Sequence, residues 1–193
     1  MDNKLFPKFS LYDQIGYILV GSIASLVISF DVWLLKNWIP KIGGLDLIIL
    51  VIVVYFLGHL IQSLANLVLR EKTKDFSEDE KKTLNIAKEN YNLKEKTDNE
   101  VYRFVSMLSL TRDFSGQVEA FNAYYSLYRG WFITFVGESI FLLYYLICVF
   151  NFRNVALMLI SIIISILFYL RLKRFYKYCR EKTLYTFLII SRV

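Results

Sequence analysis

The chain alternates between long apolar stretches and short segments in which its charges are concentrated. A run of about 18 or more mostly apolar residues is long enough to cross a bilayer as a helix. The runs are solidly apolar rather than alternating in polarity, which argues against the strands of a β-barrel. The pattern therefore predicts an all-α integral membrane protein with four transmembrane helices. The predicted spans lie at about Leu11–Leu35, Leu45–Leu69, Trp131–Phe152 and Val155–Leu170.

A more polar segment of helical character separates spans two and three. Ser77–Glu80 and Thr97–Glu100 each have the order of a capping box, in which a hydroxyl and a glutamate satisfy orphan backbone amides at a helix start. A similar signal at Ser10–Asp13 marks the start of span one. From Gln117 the apolar spacing continues to Trp131, which predicts one helix running from this segment into span three.

These patterns divide the chain into four parts. Residues 1–69 form an N-terminal segment and the hairpin of spans one and two, and residues 70–130 form a small helical insertion. Residues 131–170 form the hairpin of spans three and four, and residues 171–193 form a basic amphipathic C-terminal helix. Arg153 is the only Lys or Arg residue between spans three and four, whereas the tail has seven. The positive-inside rule therefore predicts a protein of the inner (cytoplasmic) membrane with both termini and the insertion in the cytoplasm.

The net charge of +6 has its origin in the tail, where a single acid, Glu181, accompanies the seven basic residues. The rest of the chain is neutral overall, so the charge does not indicate nucleic-acid binding. A basic cluster next to a span is typical of contact with anionic lipid headgroups. Ordinary anchoring and a specific lipid or partner site remain alternatives for this cluster. Its members are Arg171, Lys173, Arg174, Lys177, Arg180 and Lys182.

Polar residues inside the predicted spans fall on helical stripes. We call one set the polar seam, and its members are His59, Gln62, Ser63 and Asn66 in span two with Thr134 and Glu138 in span three. Counted from the inner ends of their spans, His59 lies roughly 15 Å deep and Glu138 roughly 10 Å deep. We therefore expect these two to pair, directly or through Gln62, either as a dry clasp between helices or as a wet, gated path. Asp31 is expected to be solvated at the outer end of span one.

Small residues mark the faces on which helices are expected to meet. A stripe of span one is predicted to form a helix-packing or subunit contact, and its members are Gly21, Ser22, Ser25 and Ser29. Ser161 and Ser165 form a similar stripe in span four. The only two cysteines, Cys148 and Cys179, are expected to be far apart and reduced. No spacing indicates a metal site, a cofactor or a nucleotide loop. Thr111–Asp113 is interpreted as a helix-ending turn, with a ligand-contacting corner as the alternative.

The layout of four spans with a small cytoplasmic helical domain is similar to membrane effectors or sensors of bacterial stress and phage-defence systems. This likeness concerns architecture alone, which does not fix function. We predict a non-enzymatic protein that forms a homo-oligomer, signals or opens a pore, and binds a cytoplasmic protein partner through residues 70–130. The first alternative is a transporter or channel subunit that uses a His59–Glu138 pair. The second is a small intramembrane enzyme.

Overall fold

The computed structural model describes residues 13–36, 44–69, 76–113 and 115–191, and within these ranges nearly every residue is helical and none lies in a strand. The described residues include four helices that are long and apolar enough to cross a membrane. The prediction of an all-helical chain with four such helices is therefore confirmed. These four stretches are Asp13–Leu35, Asp46–Val68, Gln117–Cys148 and Phe152–Ile190.

The described part of the chain begins with a π-helical segment, Asp13–Leu19, that leads directly into the first α-helix. The capping signal predicted at Ser10–Asp13 lies almost wholly outside the described residues. The α-helices are α1 (Val20–Lys36), α2 (Gly44–Val68), α3 (Glu78–Asn90), α4 (Asp98–Arg112), α5 (Gln117–Cys148) and α6 (Phe152–Ile190).

Two helices are much longer than the predicted spans. Helix α5 begins at Gln117, as the sequence predicts, and has 32 residues. Helix α6 has 39 residues, which corresponds to roughly 58 Å at 1.5 Å per residue. The predicted boundary between residues 170 and 171 lies inside α6, so span four and the basic tail form a single helix. The sequence has neither proline nor glycine in this stretch to end the helix.

Helices α3 and α4 pack against the end of α6, and together they form what we call the head domain (residues 76–113 and 179–191). Both predicted capping boxes are present, with Ser77 N donating to Glu80 Oε2 at 2.8 Å and Thr97 N donating to Glu100 Oε2 at 2.9 Å. The core of the head combines residues from all three helices. Its least exposed members are Leu84, Val101, Val105, Leu184 and Phe187, none more than 5% exposed.

Aromatic rings join α5 to α6 along much of their length, and we call the paired helices the stalk. The Phe175 ring of α6 lies 4.9 Å from Tyr128, 5.8 Å from Tyr124 and 6.2 Å from Phe121 of α5, measured between ring centroids. Farther from the head, Phe168 lies 5.0 Å from Trp131. Because bulky rings pack with defined geometry, this contact fixes the two helices against each other.

Glycines bring α1 and α2 into backbone contact. A Cβ atom added at Gly21 would lie 1.8 Å from the carbonyl oxygen of Val54, and one added at Gly58 would lie 2.1 Å from that of Tyr17. No side chain fits in either place. Of the small-residue stripe predicted for span one, Gly21 thus packs within the chain, whereas Ser25 is partly exposed and Ser29 is exposed. The Ser22 hydroxyl donates to the carbonyl oxygen of Ile18 in the preceding turn.

Candidate functional site

Gln62 is the most densely bonded side chain in the interior of the candidate spans. It is only 3% exposed. Its Nε2 donates to the carbonyl oxygen of Gly16 at 3.0 Å and to that of Ser126 at 2.8 Å. One amide group therefore joins three parts of the chain, because Gly16 lies in the π-helical segment, Gln62 in α2 and Ser126 in α5.

The acceptor atom of the same amide is also used. Arg129 of α5 donates to Gln62 Oε1 from Nη2 at 3.0 Å and from Nε at 3.3 Å. The Gly16 carbonyl lies in the π-helical segment, and a carbonyl oxygen has two lone pairs, so it can accept a bond from a side chain. We call Gln62, Arg129 and the two carbonyl oxygens the Gln62 cluster. Both donor hydrogens and the acceptor of Gln62 have partners, as a buried amide requires.

His59 lies beside this cluster but is held by rings. Its imidazole stacks on Tyr17 with 3.7 Å between ring centroids, and Tyr55 contacts it edge-on at 4.6 Å. The other predicted seam residues of α2 face outward. Ser63 is exposed and donates to the carbonyl oxygen of His59, and Asn66 is exposed.

The expected pairing of His59 with Glu138 is wrong for the described residues, because Glu138 lies beside a different residue and at another depth. Gln62 is level with Ser126, and α2 and α5 run in opposite directions. Glu138 is twelve residues beyond Ser126, or roughly 18 Å along α5, whereas His59 is only about 4.5 Å from Gln62 along α2. Depth counted from Trp131 misplaced Glu138, since α5 starts well before that residue. Thr134 also stays outside the contact and donates to the carbonyl oxygen of Gly130.

Glu138 instead lies beside Asp31 of α1, close enough for the two carboxyl groups to interact, and we call these two residues the acid pair. Asp31 was expected to be solvated; the residue is partly exposed, but its Oδ1 atom is buried. Glu138 is 8% exposed. Neither Asp31 Oδ1 nor Glu138 Oε2 has a hydrogen-bond partner among the described residues. A hydrogen bond between two carboxyl groups needs a proton on one of them, because an ionised carboxylate only accepts.

Glu138 also lines a cavity of about 220 Å³ between α1, α5 and α6. Apart from Glu138, its walls have one polar side chain, Ser161, whose hydroxyl donates to the carbonyl oxygen of Phe135 at 3.1 Å. Ser139 adds a hydroxyl contact to Ser161 at 3.1 Å. Ser165, the other small residue predicted in span four, is buried and donates within its own helix to the carbonyl oxygen of Ile162.

The six basic residues of the predicted headgroup cluster divide into two groups. Arg180 is buried in the head domain, where it forms an ion pair with Glu80 and stacks over the Phe76 ring at 4.8 Å. A headgroup role for Arg180 is therefore wrong, because its guanidinium is already used inside the protein. Lys182 contacts the Tyr185 ring, and Lys177 pairs with Glu181 at 3.6 Å on the surface.

The other group lies between the spans and the head. Arg171, Lys173 and Arg174 are exposed. Arg171 and Arg174 border a cavity of about 580 Å³, and Lys173 lies over the Tyr169 ring at 4.6 Å. The remaining walls of this cavity are Tyr128, Trp131, Leu167, Phe168 and Leu170.

The Thr111–Asp113 segment is a helix-ending turn, as predicted, and Asp113 also begins the next helix. Partial burial raises the pKa of Asp113, but hydrogen bonds from Ser115 and from the backbone amides of Val118 and Gln117 hold it below its usual value overall. Its Oδ2 accepts from Val118 N at 2.7 Å. Arg112 and Asp113 also border a cavity of about 880 Å³ against the end of α6, so a ligand-contacting corner stays an open alternative.

Two further findings concern cofactors and relatives. In the described ranges, no three His, Cys, Asp or Glu side chains are grouped so that they could hold a metal ion, and neither Cys148 nor Cys179 forms a disulfide. Compared with family models, curated proteins and solved structures, the chain matches none of them. Asp31 and Arg129 are the site residues that sequence reasoning undervalued, although each is a charged residue inside or next to an apolar run.

Proposed function

We propose that the chain is a non-enzymatic, multi-pass protein of the bacterial inner membrane that receives a signal in its head domain and transmits it to its spans. The continuity of α6 supports this most directly. One helix contains Ser161, beside the acid pair, and Phe187, in the core of the head domain. Movement of the head must therefore tilt or displace the membrane part of the same helix, because no hinge separates them.

The stalk strengthens this coupling. Helix α5 follows α6 from the head side into the candidate span, and their rings interdigitate from Phe121 to Phe135. The Gln62 cluster then connects α5 to α2 and to the start of span one. A displacement of the stalk would be passed to both other spans through these contacts.

The expected partners follow from the surfaces on each side of the stalk. Arg171, Lys173 and Arg174 sit where a span meets the head, which suits anionic lipid headgroups and a cytoplasmic location of the head and both termini. We further propose a homo-oligomer in which Ser25 and Ser29 of α1 contact a neighbouring copy, and a cytoplasmic protein partner that binds residues 70–130. Four spans enclose little space, so an effector of the stress or phage-defence type would open its pore between subunits.

Interrupting the stalk tests the proposal. Lys173 is exposed in α6 between Ser161 and the head, so Lys173→Pro should break the helix, at a cost of about 3 kcal/mol, without touching either core. We expect expression of the wild type to depolarise bacterial cells, as read with a potential-sensitive dye. Lys173→Pro should lose most of that effect, and Lys173→Ala should keep it, because alanine preserves the helix.

The amount of each variant in the membrane fraction is the necessary control. An intact membrane potential at every wild-type level and under every applied stress would contradict the effector function. Full depolarisation by Lys173→Pro at equal membrane abundance would contradict transmission through the stalk.

The acid pair favours a second candidate, a transporter or channel subunit, with Asp31 and Glu138 in the role first expected of His59 and Glu138. Reconstituted protein would then move protons or ions without any signal to the head, and Lys173→Pro would leave that flux unchanged. A small intramembrane enzyme remains the third candidate, and turnover by monomeric protein in micelles would identify it.

A further inference from the structure

The acid pair has a chemistry that a structural contact between helices does not need. Two acids from α1 and α5 meet inside the candidate spans, where an ionisable group is costly and where a pair of alkyl side chains would pack equally well. Each keeps one buried oxygen without a partner, Oδ1 of Asp31 and Oε2 of Glu138. The Gln62 cluster shows that this chain does satisfy a buried polar group where the role is to join helices.

The free oxygen of Glu138 belongs to a side chain that is more than nine-tenths buried and that lines the 220 Å³ cavity. A water molecule occupies about 30 Å³ of the liquid, so the cavity has room for several. The Glu138 carboxyl and the Ser161 hydroxyl are the polar groups on its walls. Water there would have its best partner in the unpaired carboxyl oxygen.

We propose that Asp31 and Glu138 form a proton-binding site inside the membrane, which exchanges one proton with water admitted to the neighbouring cavity. In the loaded state one carboxyl donates its proton to the other, and the pair has a charge of −1. On release, the O–H bond breaks, the proton passes to a cavity water, and two carboxylates remain in contact. Their repulsion acts between α1 and α5.

The surroundings assign the proton to these two groups. Helix α5 presents Glu138 and α1 presents Asp31, while the α6 wall of the cavity is apolar except for Ser161. Helix α2, which packs on α1, has Asp46 exposed in its first turn, and α6 has Arg153 exposed at its start. Among the described residues, no lysine, arginine or histidine contacts either carboxyl. A proton is thus the positive charge that the pair requires. This inference does not rest on the proposed signalling function.

Infrared difference spectroscopy of the full chain in nanodiscs of neutral lipid tests the site. A protonated carboxyl has a C=O stretch that a carboxylate lacks. We expect this band to be present at mildly acidic pH and to be lost as the pH is raised. Glu138→Gln and Asp31→Asn should each shift the frequency of the band and move its loss to lower pH, because the remaining acid titrates without a second carboxylate that favours its protonated form. Asp46→Asn should leave it intact.

Three results would overturn the proposal. The band could persist at every pH, which would describe a permanently protonated contact, or it could survive unchanged in both amide variants. Displacement of the band by sodium or potassium at fixed pH would assign the site to a metal cation instead. If Glu138→Gln fails to fold, Asp31→Asn supplies the same comparison from the other helix.

Discussion

The Gln62 cluster and the acid pair are two polar contacts that both join α5 to span one, and they are built in opposite ways. Gln62 presents both donors and an acceptor, and each has a partner. Asp31 and Glu138 present four oxygens, and two buried ones have no partner. The Gln62 cluster also lies where backbones touch, whereas the acid pair lies beside a cavity.

The difference distinguishes two kinds of contact: a joint, which holds helices together, and a site, which can bind a ligand. A saturated hydrogen-bond network has nothing left to offer a ligand, so its contribution is to hold helices in one arrangement. A buried polar group without a hydrogen-bond partner destabilises the folded state, and a bound proton or water reduces that penalty. Changes at the first contact should therefore alter stability, and changes at the second should alter chemistry.

The largest expected effect comes from forcing α1 away from α2 near the Gln62 cluster. Gly21→Ala places a methyl group against the carbonyl oxygen of Val54, and overpacking of this kind costs at least about 3 kcal/mol. The free energy of unfolding in mild detergent should fall by this amount. Gly137→Ala is the matched control, because its added methyl meets no atom within 4 Å. Equal stability of the two variants would contradict the close approach.

A smaller loss is expected from Gln62→Leu. The change leaves Arg129 without its acceptor in the interior and should cost about 2–3 kcal/mol, as for hydrogen bonds to charged groups. Asn66→Leu, one turn away on an exposed position, should change stability by less than about 0.5 kcal/mol. A thermal scan that ranks the two variants in the reverse order would reject the cluster as a joint.

The acid pair should behave in the opposite way. Replacing both acids, in Asp31→Leu/Glu138→Leu, removes two unsatisfied groups and should leave the stability within about 1 kcal/mol of the wild type or raise it. The same double change at Gln62 and Arg129 should lower it. If both double variants are equally destabilised, the distinction between joint and site fails.

The smallest effect concerns Asp113, an acid whose oxygens do have donors. The pKa of Asp113 in the folded chain lies below the usual value. Its contribution to the free energy of unfolding is therefore present above the unfolded pKa and is lost as the pH falls through the folded pKa. Asp113→Ala should cost about 0.5–1 kcal/mol, as the loss of a helix cap does. Hydrogen exchange of the Val118 amide should accelerate in this variant near neutral pH, whereas the exposed acid change Glu95→Ala should have no effect there.

Local rules predicted much of this fold. The capping boxes at Ser77 and Thr97 depend on residues three positions apart, so the sequence contains all the information needed to place them. The start of α5 at Gln117 followed from the apolar spacing that continues to Trp131. The four apolar helices followed from length and hydropathy alone.

The contacts inside the helix bundle could not be predicted in the same way. The neighbour of Glu138 depends on the relative depth of α1 and α5. Because the depth of Glu138 was counted from Trp131, the sequence predicted His59 as its neighbour in place of Asp31. Arg180 has the same sequence neighbourhood as the exposed basic residues of α6, yet Glu80 binds it from a hundred residues away. The role of Gln62 depends on the backbone carbonyl oxygens of Gly16 and Ser126, which no side-chain pattern reveals.

The composition of the head domain has a consequence for the order of biosynthesis. Helices α3 and α4 are synthesised before spans three and four, but their core lacks Leu184 and Phe187 until α6 is complete. The contacts that close the domain join Glu80 to Arg180 and Ser109 to Thr183. A ribosome must therefore deliver both later spans before the head can close. A folded head therefore indicates that spans three and four have been synthesised. In a nascent chain stalled before that point, α3 and α4 would remain unpacked and accessible to chaperones and proteases.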